Sequence, residues 1–450
     1  MTRSSIPAAR RPLFVALALA VACVPGLRAQ QLAFRPYHPD GMYRVGDRVG
    51  WRVALVAGQT ATPGRYTWVA RRDGGTVVAR GSFDLASGER SGTIETSLPR
   101  PGMLLVEVKA PGGDTAFHGP SKSEVGRALI GAAVEPGRIR PSAPRPADFD
   151  AFWASQLRRL ERVPAEPVLT PGESDKPGVE YFTLRMNNVG GAHVYAQLAK
   201  PAGAGPFPAL VIYQWASPPY PLQKAWVTDR AAEGWLVLNV EPHDVPGDMP
   251  PAFYAALPAL IRNYRTIGDH SRDRSYFLGM YLGDVRAAEY LAGRPDWDGK
   301  TLAVMGISMG GQQSFAVAGL VPRVNALIVD VPAGGDALGE LHGRMASYPN
   351  WDVKQPEVRR TAPYFDAANF APHIAARSMV AMGFIDETCP PASVWAVFNL
   401  LRGPKEAVPL VDSPHNHMAV PPEQQPWTDR STAWLDALVH GRDPLAAPGR

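Results

Sequence analysis

Three residue types, met in one chain order, could do chemistry together. They are a serine inside Gly306-Ile-Ser308-Met309-Gly310, an aspartate at 386, and a histidine pair at 415 and 417. A serine hydroxyl is a weak nucleophile at neutral pH. It needs a base within hydrogen-bond reach, and the base needs an acid to orient it. The pattern G-x-S-x-G is that of a strand-turn-helix apex, with Ser308 at positive φ and glycines where a Cβ would collide. Glycine is frequent here, at 43 of 450 residues, so the motif alone could arise by chance. The residues that follow must carry the rest.

On this fold the acid and then the base follow the nucleophile along the chain. Asp386 comes after the apolar run Met379–Ile385 and before a helix opened by Pro390 and Pro391. That position is the carboxyl end of a strand, where ligands and catalytic groups gather. Asp330 ends the strand before it and is the competing acid. Only His415, His417 and His440 lie beyond Asp386. His440 reads as a solvated histidine at the end of the last helix. His415 and His417 sit in Asp412-Ser-Pro-His-Asn-His-Met, a loop after the last strand, and either can serve as base. An H-x-H pair can also bind a metal, but no third ligand has compatible local spacing. The oxyanion needs two N–H donors. One is the Met309 amide, and the other comes from the loop after Ala209–Tyr213, near Trp215 and Ala216. His193 and His243 could line the mouth, with a surface or core place as the plainer reading.

The elements that must hold these residues form an α/β pattern. Val179–Met186 and His193–Leu198 read as an opening strand pair. Ala209–Tyr213, Trp235–Val240, Ala326–Val331, Ser378–Phe384 and Val408–Val411 read as buried strands. Helical patterns lie between them, among them Asp273–Gly293, Ala392–Leu401 and Asp429–Val439. Strands alternating with helices predict a doubly wound, mainly parallel sheet, the α/β-hydrolase architecture, over 148–442. Pro332–Ala376 is long for one connection and should hold helices that partly cover the site. Asp148 can cap the helix that opens this domain.

Residues 30–140 read differently. Short alternating strands around Trp51, Trp68 and Val106, punctuated by Gly and Pro, predict a small all-β sandwich of immunoglobulin-like kind. Trp51 and Trp68 read as core, with sugar stacking as the alternative. A Pro-rich linker at 141–147 joins the two domains.

Residues 1–29 carry Arg3, Arg10 and Arg11, a 12-residue apolar run Leu13–Val24 too short to span a bilayer, and a small-residue cleavage site before Gln30. They predict a cleaved signal and a secreted or periplasmic protein, with twin-arginine or lipoprotein export as lesser variants. Lys and Arg total 46 against 42 Asp and Glu. The signal holds four of the arginines and no acid, so the remainder is balanced and gives no case for nucleic-acid binding. No later segment reads as a membrane span. Cys23 leaves with the signal, so Cys389 has no intrachain partner.

With these residues in view, the chain resembles the acetyl xylan esterase / cephalosporin-C deacetylase family of carbohydrate esterases over roughly 145–441. The carriers are Pro146-Ala-Asp-Phe-Asp-Ala-Phe-Trp153, Val285–Pro295, Gly306–Gly311, Asp330-Val-Pro332, Tyr364–Pro372, and above all Asp386-Glu-Thr-Cys-Pro-Pro391 with Phe398-Asn399 and Gly403-Pro-Lys-Glu406. The resemblance implies a serine esterase that removes acetyl groups from sugars or similar small alcohols. It puts the nucleophile on Ser308, the acid on Asp386, the base on His415 (a two-residue shift gives His417) and the second oxyanion amide on Ala216. It implies no metal or organic cofactor. Three departures stand out. Met309 replaces the family's glutamine, Glu241-Pro-His-Asp244 stands where Arg-Gly-Gln is usual, and Asn416 replaces a glutamate. They put substrate choice and the family's ring-like oligomer in doubt. The rival readings are a secreted serine peptidase of the same fold and a non-catalytic carbohydrate-binding protein on a hydrolase scaffold.

Overall fold

The computed structural model describes residues 32–85, 91–113, 117, 126–415 and 422–446. The expected export segment, Asn416 and His417 lie outside them.

Eight strands come first: β1 (Leu32–Pro36), β2 (Met42–Tyr43), β3 (Val49–Leu55), β4 (Gly64–Arg72), β5 (Thr76–Leu85), β6 (Ser91–Thr96), β7 (Gly102–Lys109) and β8 (Arg127–Val134). They form a three-stranded sheet β1-β3-β6 and a five-stranded sheet β2-β8-β7-β4-β5. Period-2 alternation turns one side of each sheet inward. Trp51 and Val53 of one sheet therefore share an apolar cluster with Tyr66, Trp68, Val106 and Ile130 of the other. Both tryptophans are buried in that cluster.

Nine more strands build a third, larger sheet: β9 (Val168–Gly172), β10 (Val179–Asn187), β11 (His193–Pro201), β12 (Phe207–Tyr213), β13 (Leu236–Val240), β14 (Trp297–Ile307), β15 (Ala326–Asp330), β16 (Arg377–Gly383) and β17 (Lys405–Leu410). Their order is β17-β16-β15-β14-β12-β13-β11-β10-β9. From β13 through β17 the neighbours run parallel, while β9, β10 and β11 are antiparallel. The central strands are apolar at successive positions because both faces are covered. Leu210 and Ile212 pack with Val227, Ala231, Trp434 and Leu435 on one side. Ala209, Val211 and Tyr213 pack with Phe277, Tyr281 and Phe315 on the other. From β12 the chain goes to β13 on one side and then to β14 on the other. That reversal opens a crevice at the carboxyl ends of β12 and β14.

Some details differ from the sequence reading. The long helix runs Tyr276–Ala292, a turn shorter at its start. β9 is an extra edge strand, exposed along its whole length, so no burial pattern marks it. Asp148 stands at the N-cap of the helix Phe149–Glu161 but makes no side-chain cap bond. Its carboxylate instead accepts from the Tyr364 hydroxyl and from Arg272 Nη1.

The stretch 139–146 is strapped down rather than a loose linker. Ser142 donates through N and Oγ to Asp336, both at 2.7 Å. Asn399 Nδ2 donates to the carbonyls of Pro136 and Ile139, and Arg145 Nε to that of Asn369. The β module itself is welded to the hydrolase beside Asp386. Ile385 packs with Leu105 and Leu129, and Glu387 is paired with Arg127. Gly131 has no room for a side chain because Phe384 lies against it: an added Cβ would sit 2.7 Å from the Phe384 carbonyl oxygen. Deeper in the joint, Arg344 bridges Asp336 and Asp73.

Pro332–Ala376 holds short helices, Pro356–Thr361 and Ala367–Phe370 among them. Asp366 ties the segment together by accepting from the amides of Asp336, Ala337 and Ala368. Burial, with the charge of Asp336 added, nevertheless pushes its carboxyl up to about 7. The folded protein therefore binds more protons than the unfolded chain between about pH 4, the ordinary carboxyl value, and about 7, and this group's contribution to stability falls as pH rises through that window. Asp366→Asn should flatten the fall in melting temperature between pH 5 and pH 8. An unchanged slope would contradict this account.

Candidate active site

Ser308 stands between β14 and the helix Met309–Leu320 with φ 55° and ψ −118°. A non-glycine residue holds that strained geometry only where its surroundings over-determine it. Here the Ser308 amide donates to the Asp330 carbonyl at 3.0 Å, and the Ser308 carbonyl accepts from the amides of Ala333 (2.9 Å) and Gln312 (3.2 Å). The flanking glycines are required by contact. A Cβ on Gly306 would lie 2.2 Å from the backbone of Gly310, and one on Gly310 would lie 1.9 Å from the Tyr213 carbonyl oxygen. Gly310→Ala must push the elbow helix away from β12. We expect a loss of about 1–3 kcal/mol in stability and of at least tenfold in ester hydrolysis, read by thermal melting and a 4-nitrophenyl acetate assay. Wild-type values in both would contradict the packing argument.

His415 brings the three groups together. Its Nε2 lies 2.9 Å from Ser308 Oγ, and its Nδ1 lies 2.8 Å from Asp386 Oδ2. A carboxylate only accepts, so Nδ1 carries the proton and Nε2 offers its lone pair to the serine hydroxyl. Asp386 is fixed in turn. Its other oxygen accepts from the amides of Thr388 (2.8 Å) and Cys389 (2.7 Å), leaving Oδ2 free for the imidazole. The carboxylate is buried, and Ser308 is 8 % exposed.

The other candidates fall elsewhere. Asp330 is buried under the elbow, and neither of its carboxyl oxygens makes a well-formed hydrogen bond. Burial, with the charge of Asp386 added, raises its pKa well above the ordinary carboxyl value. His440 is exposed and bonds the Asp436 carbonyl within its own helix. His193 is half-buried near Asp244 at 3.5 Å. His417 is outside the described residues.

Two features had no clear signal in the sequence. Cys389 is buried beside these residues, and donor atoms of Asp386, Cys389 and His415 lie within 4.8 Å of one another. A thiol, a carboxylate and an imidazole therefore stand close together where local spacing offered no third donor. The carboxylate and imidazole are already committed to each other and to Ser308, however, and burial raises the thiol's pKa. The second feature is His243. Its Nε2 meets the Ala216 carbonyl at 2.7 Å and its Nδ1 meets the Tyr276 hydroxyl at 2.9 Å. Met309 and Ala216 are both buried. The loop carrying Ala216 abuts the elbow helix, because Gln313 Nε2 donates to the Gln214 carbonyl at 3.0 Å.

Comparisons with known proteins point to one family. The sequence model of the acetyl xylan esterase (AXE1) family matches residues 137–435. The chain is also similar to the acetyl esterase Axe7A of Xylanibacter ruminicola, with 27% identity over 413 residues that cover 90% of this chain and 88% of that protein. That match is longer than the family region, so the likeness extends into the β module. Among solved structures, the acetyl xylan esterase from Paenibacillus sp. R4 superposes with a TM-score of 0.57 at 22% identity, over 68% of this chain and 98% of its own. Acetyl xylan esterase 1 from Thermoanaerobacterium sp. JW/SL YS485 gives 0.56 at 22% identity, with the same coverage. At that identity these two speak for the fold alone. The family match, spanning well over half of the chain, carries the assignment: the chain belongs to the acetyl xylan esterase family and is a carboxylic-ester hydrolase on the α/β-hydrolase fold.

Proposed function

We propose that the protein removes acetyl groups from acetylated saccharides, outside the cytoplasm, through a Ser308-His415-Asp386 triad. The observation that carries the reading is the unbroken hydrogen-bond chain from Asp386 through His415 to Ser308. His415 Nε2 takes the hydroxyl proton as Ser308 Oγ attacks the ester carbonyl. Asp386 holds the imidazole in place and stabilises the imidazolium that forms. The Met309 and Ala216 amides receive the oxyanion. His415 then gives its proton to the departing sugar oxygen. A water, deprotonated by the same imidazole, attacks the acetyl-serine; the imidazolium then returns its proton to Ser308 Oγ as the acyl bond breaks and acetate leaves. These steps use side chains and backbone amides of this chain throughout.

The saccharide as alcohol is supported by the family and by the acetyl esterase likeness. Export is supported by the charge and apolar pattern of residues 1–29, which gives a mature chain beginning at Gln30. The test is acetate release from acetylated xylan oligomers, monosaccharide acetates and cephalosporin C, beside a peptide anilide. Acetate from one or more of the first three, with the anilide untouched, is expected. Anilide cleavage without acetate release would overturn the reading in favour of a peptidase.

A further inference from the structure

The second oxyanion donor needs something to hold it, and in this chain a buried histidine meets the carbonyl of the same residue. The Glu241-Pro-His-Asp244 segment follows β13, and its His243 is 2 % exposed. We propose that His243, backed by Tyr276, is a positioning residue that presets the Ala216 amide as an oxyanion donor; the proposal rests on the serine-esterase reading above.

The hydrogen-bond directions follow from chemistry. The Ala216 carbonyl can only accept, so the proton is on His243 Nε2, which donates across 2.7 Å. In the neutral ring Nδ1 then has only a lone pair to offer, and the Tyr276 hydroxyl donates to it across 2.9 Å. Burial pushes the His243 pKa down to about 4, so the ring stays neutral and keeps this one tautomer at neutral pH. Tyr264 packs edge-on against the imidazole with centroids 5.1 Å apart, and Tyr276 sits on the N-terminal turn of the helix Tyr276–Ala292. The clamp is therefore anchored on a rigid element.

A second clamp holds the other side of the same loop. Gln313, on the elbow helix, donates to the Gln214 carbonyl at 3.0 Å. The Trp215–Ala216 peptide, which carries the donor N–H, lies between these two fixed carbonyls. With both flanking carbonyls held, the peptide groups on either side of it are fixed in place. One clamp ties the loop to the helix that follows Ser308, and the other ties it to His243. An amide fixed before the reaction needs no reorganisation when charge develops on the ester oxygen.

The test compares His243→Ala, His243→Gln and Tyr276→Phe with wild type. The readouts are kcat and KM for 4-nitrophenyl acetate, affinity for a trifluoromethyl ketone that adds to the serine, and melting temperature. Complete loss of an oxyanion donor costs about 10²–10³ in kcat, so a displaced one in His243→Ala should cost about 10–100-fold. KM should stay within about threefold, and ketone affinity should weaken by a factor like that in kcat. His243→Gln keeps an N–H that reaches the carbonyl and should recover most of the loss. Tyr276→Phe should cost about three- to tenfold, because the imidazole loses its orienting donor. Wild-type kcat and ketone affinity in His243→Ala would overturn the proposal. So would a glutamine variant as impaired as alanine with ketone affinity unchanged. Should His243→Ala fail to fold, wild-type kcat in both other variants would overturn it. Ser308→Ala runs alongside: activity there sinks the esterase reading itself, whatever the His243 variants do.

Discussion

Ser308→Ala should lower ester hydrolysis by about 10⁴-fold or more while leaving the fold in place. Oγ is the atom that meets His415 Nε2 at 2.9 Å, and its removal leaves no group to form the acyl-enzyme. Alanine keeps the Cβ that the elbow already accommodates, and the backbone bonds to Asp330, Ala333 and Gln312 do not involve the hydroxyl. The melting temperature should therefore stay within a few degrees. Residual hydrolysis can come only from water attack assisted by the oxyanion amides and the bound geometry. Activity within tenfold of wild type would mean that the nucleophile lies elsewhere.

The acid gives the second large effect, because two aspartates compete for the role. Asp386→Asn should cost about 10⁴-fold in kcat, since an amide facing Nδ1 favours the wrong imidazole tautomer. Asp330→Asn should stay within about tenfold of wild type. Among the described residues, the Asp330 carboxyl has no well-formed hydrogen-bond partner, histidine included. Burial and the nearby charge of Asp386 already favour its neutral form, which an amide resembles in shape. Equal losses in the two variants, or a larger one at Asp330, would contradict the assignment. The base separates in the same assay. His415→Ala should fall with Asp386→Asn, and His417→Ala should keep most of its activity.

What was legible in the sequence was legible for local reasons. The elbow shows because Gly306, Ser308 and Gly310 meet within one turn, and contacts this close exclude other residues. The central strands show because burial on both faces makes them apolar throughout. The order serine, aspartate, histidine shows because each group ends a strand or follows one. What stayed hidden depends on residues far apart in the chain. Arg127 finds Glu387 across 260 positions, and Phe384 fills the space that Gly131 leaves empty. Nothing near either residue announces its partner. The same holds for His243 and Ala216, where a backbone carbonyl is the target and residue identity at 216 carries no information. Asp148 shows the opposite error. Its position is that of a cap, but Tyr364 and Arg272 draw its carboxylate away from the helix amides.

The joint beside the acid also changes how the leading β module reads. From the sequence it was a separate sandwich ahead of a linker. In the fold it grips the residues on either side of Asp386, through Ile385 against Leu105 and Leu129 and through Glu387 paired with Arg127. The departures from the family pattern sit around an intact set of reactive groups. In the proposed mechanism Met309 contributes through its backbone amide, whatever its side chain, and His243 of Glu241-Pro-His-Asp244 meets the carbonyl of Ala216 on the facing loop.

The central claim is that Ser308 is the activated nucleophile, and one labelling experiment reads it directly. The protein is treated with a fluorophosphonate, digested, and mapped by mass spectrometry. The account predicts one label per chain, on the peptide carrying Ser308, and strongly slowed labelling in His415→Ala. No label, or a label on another residue, would contradict it.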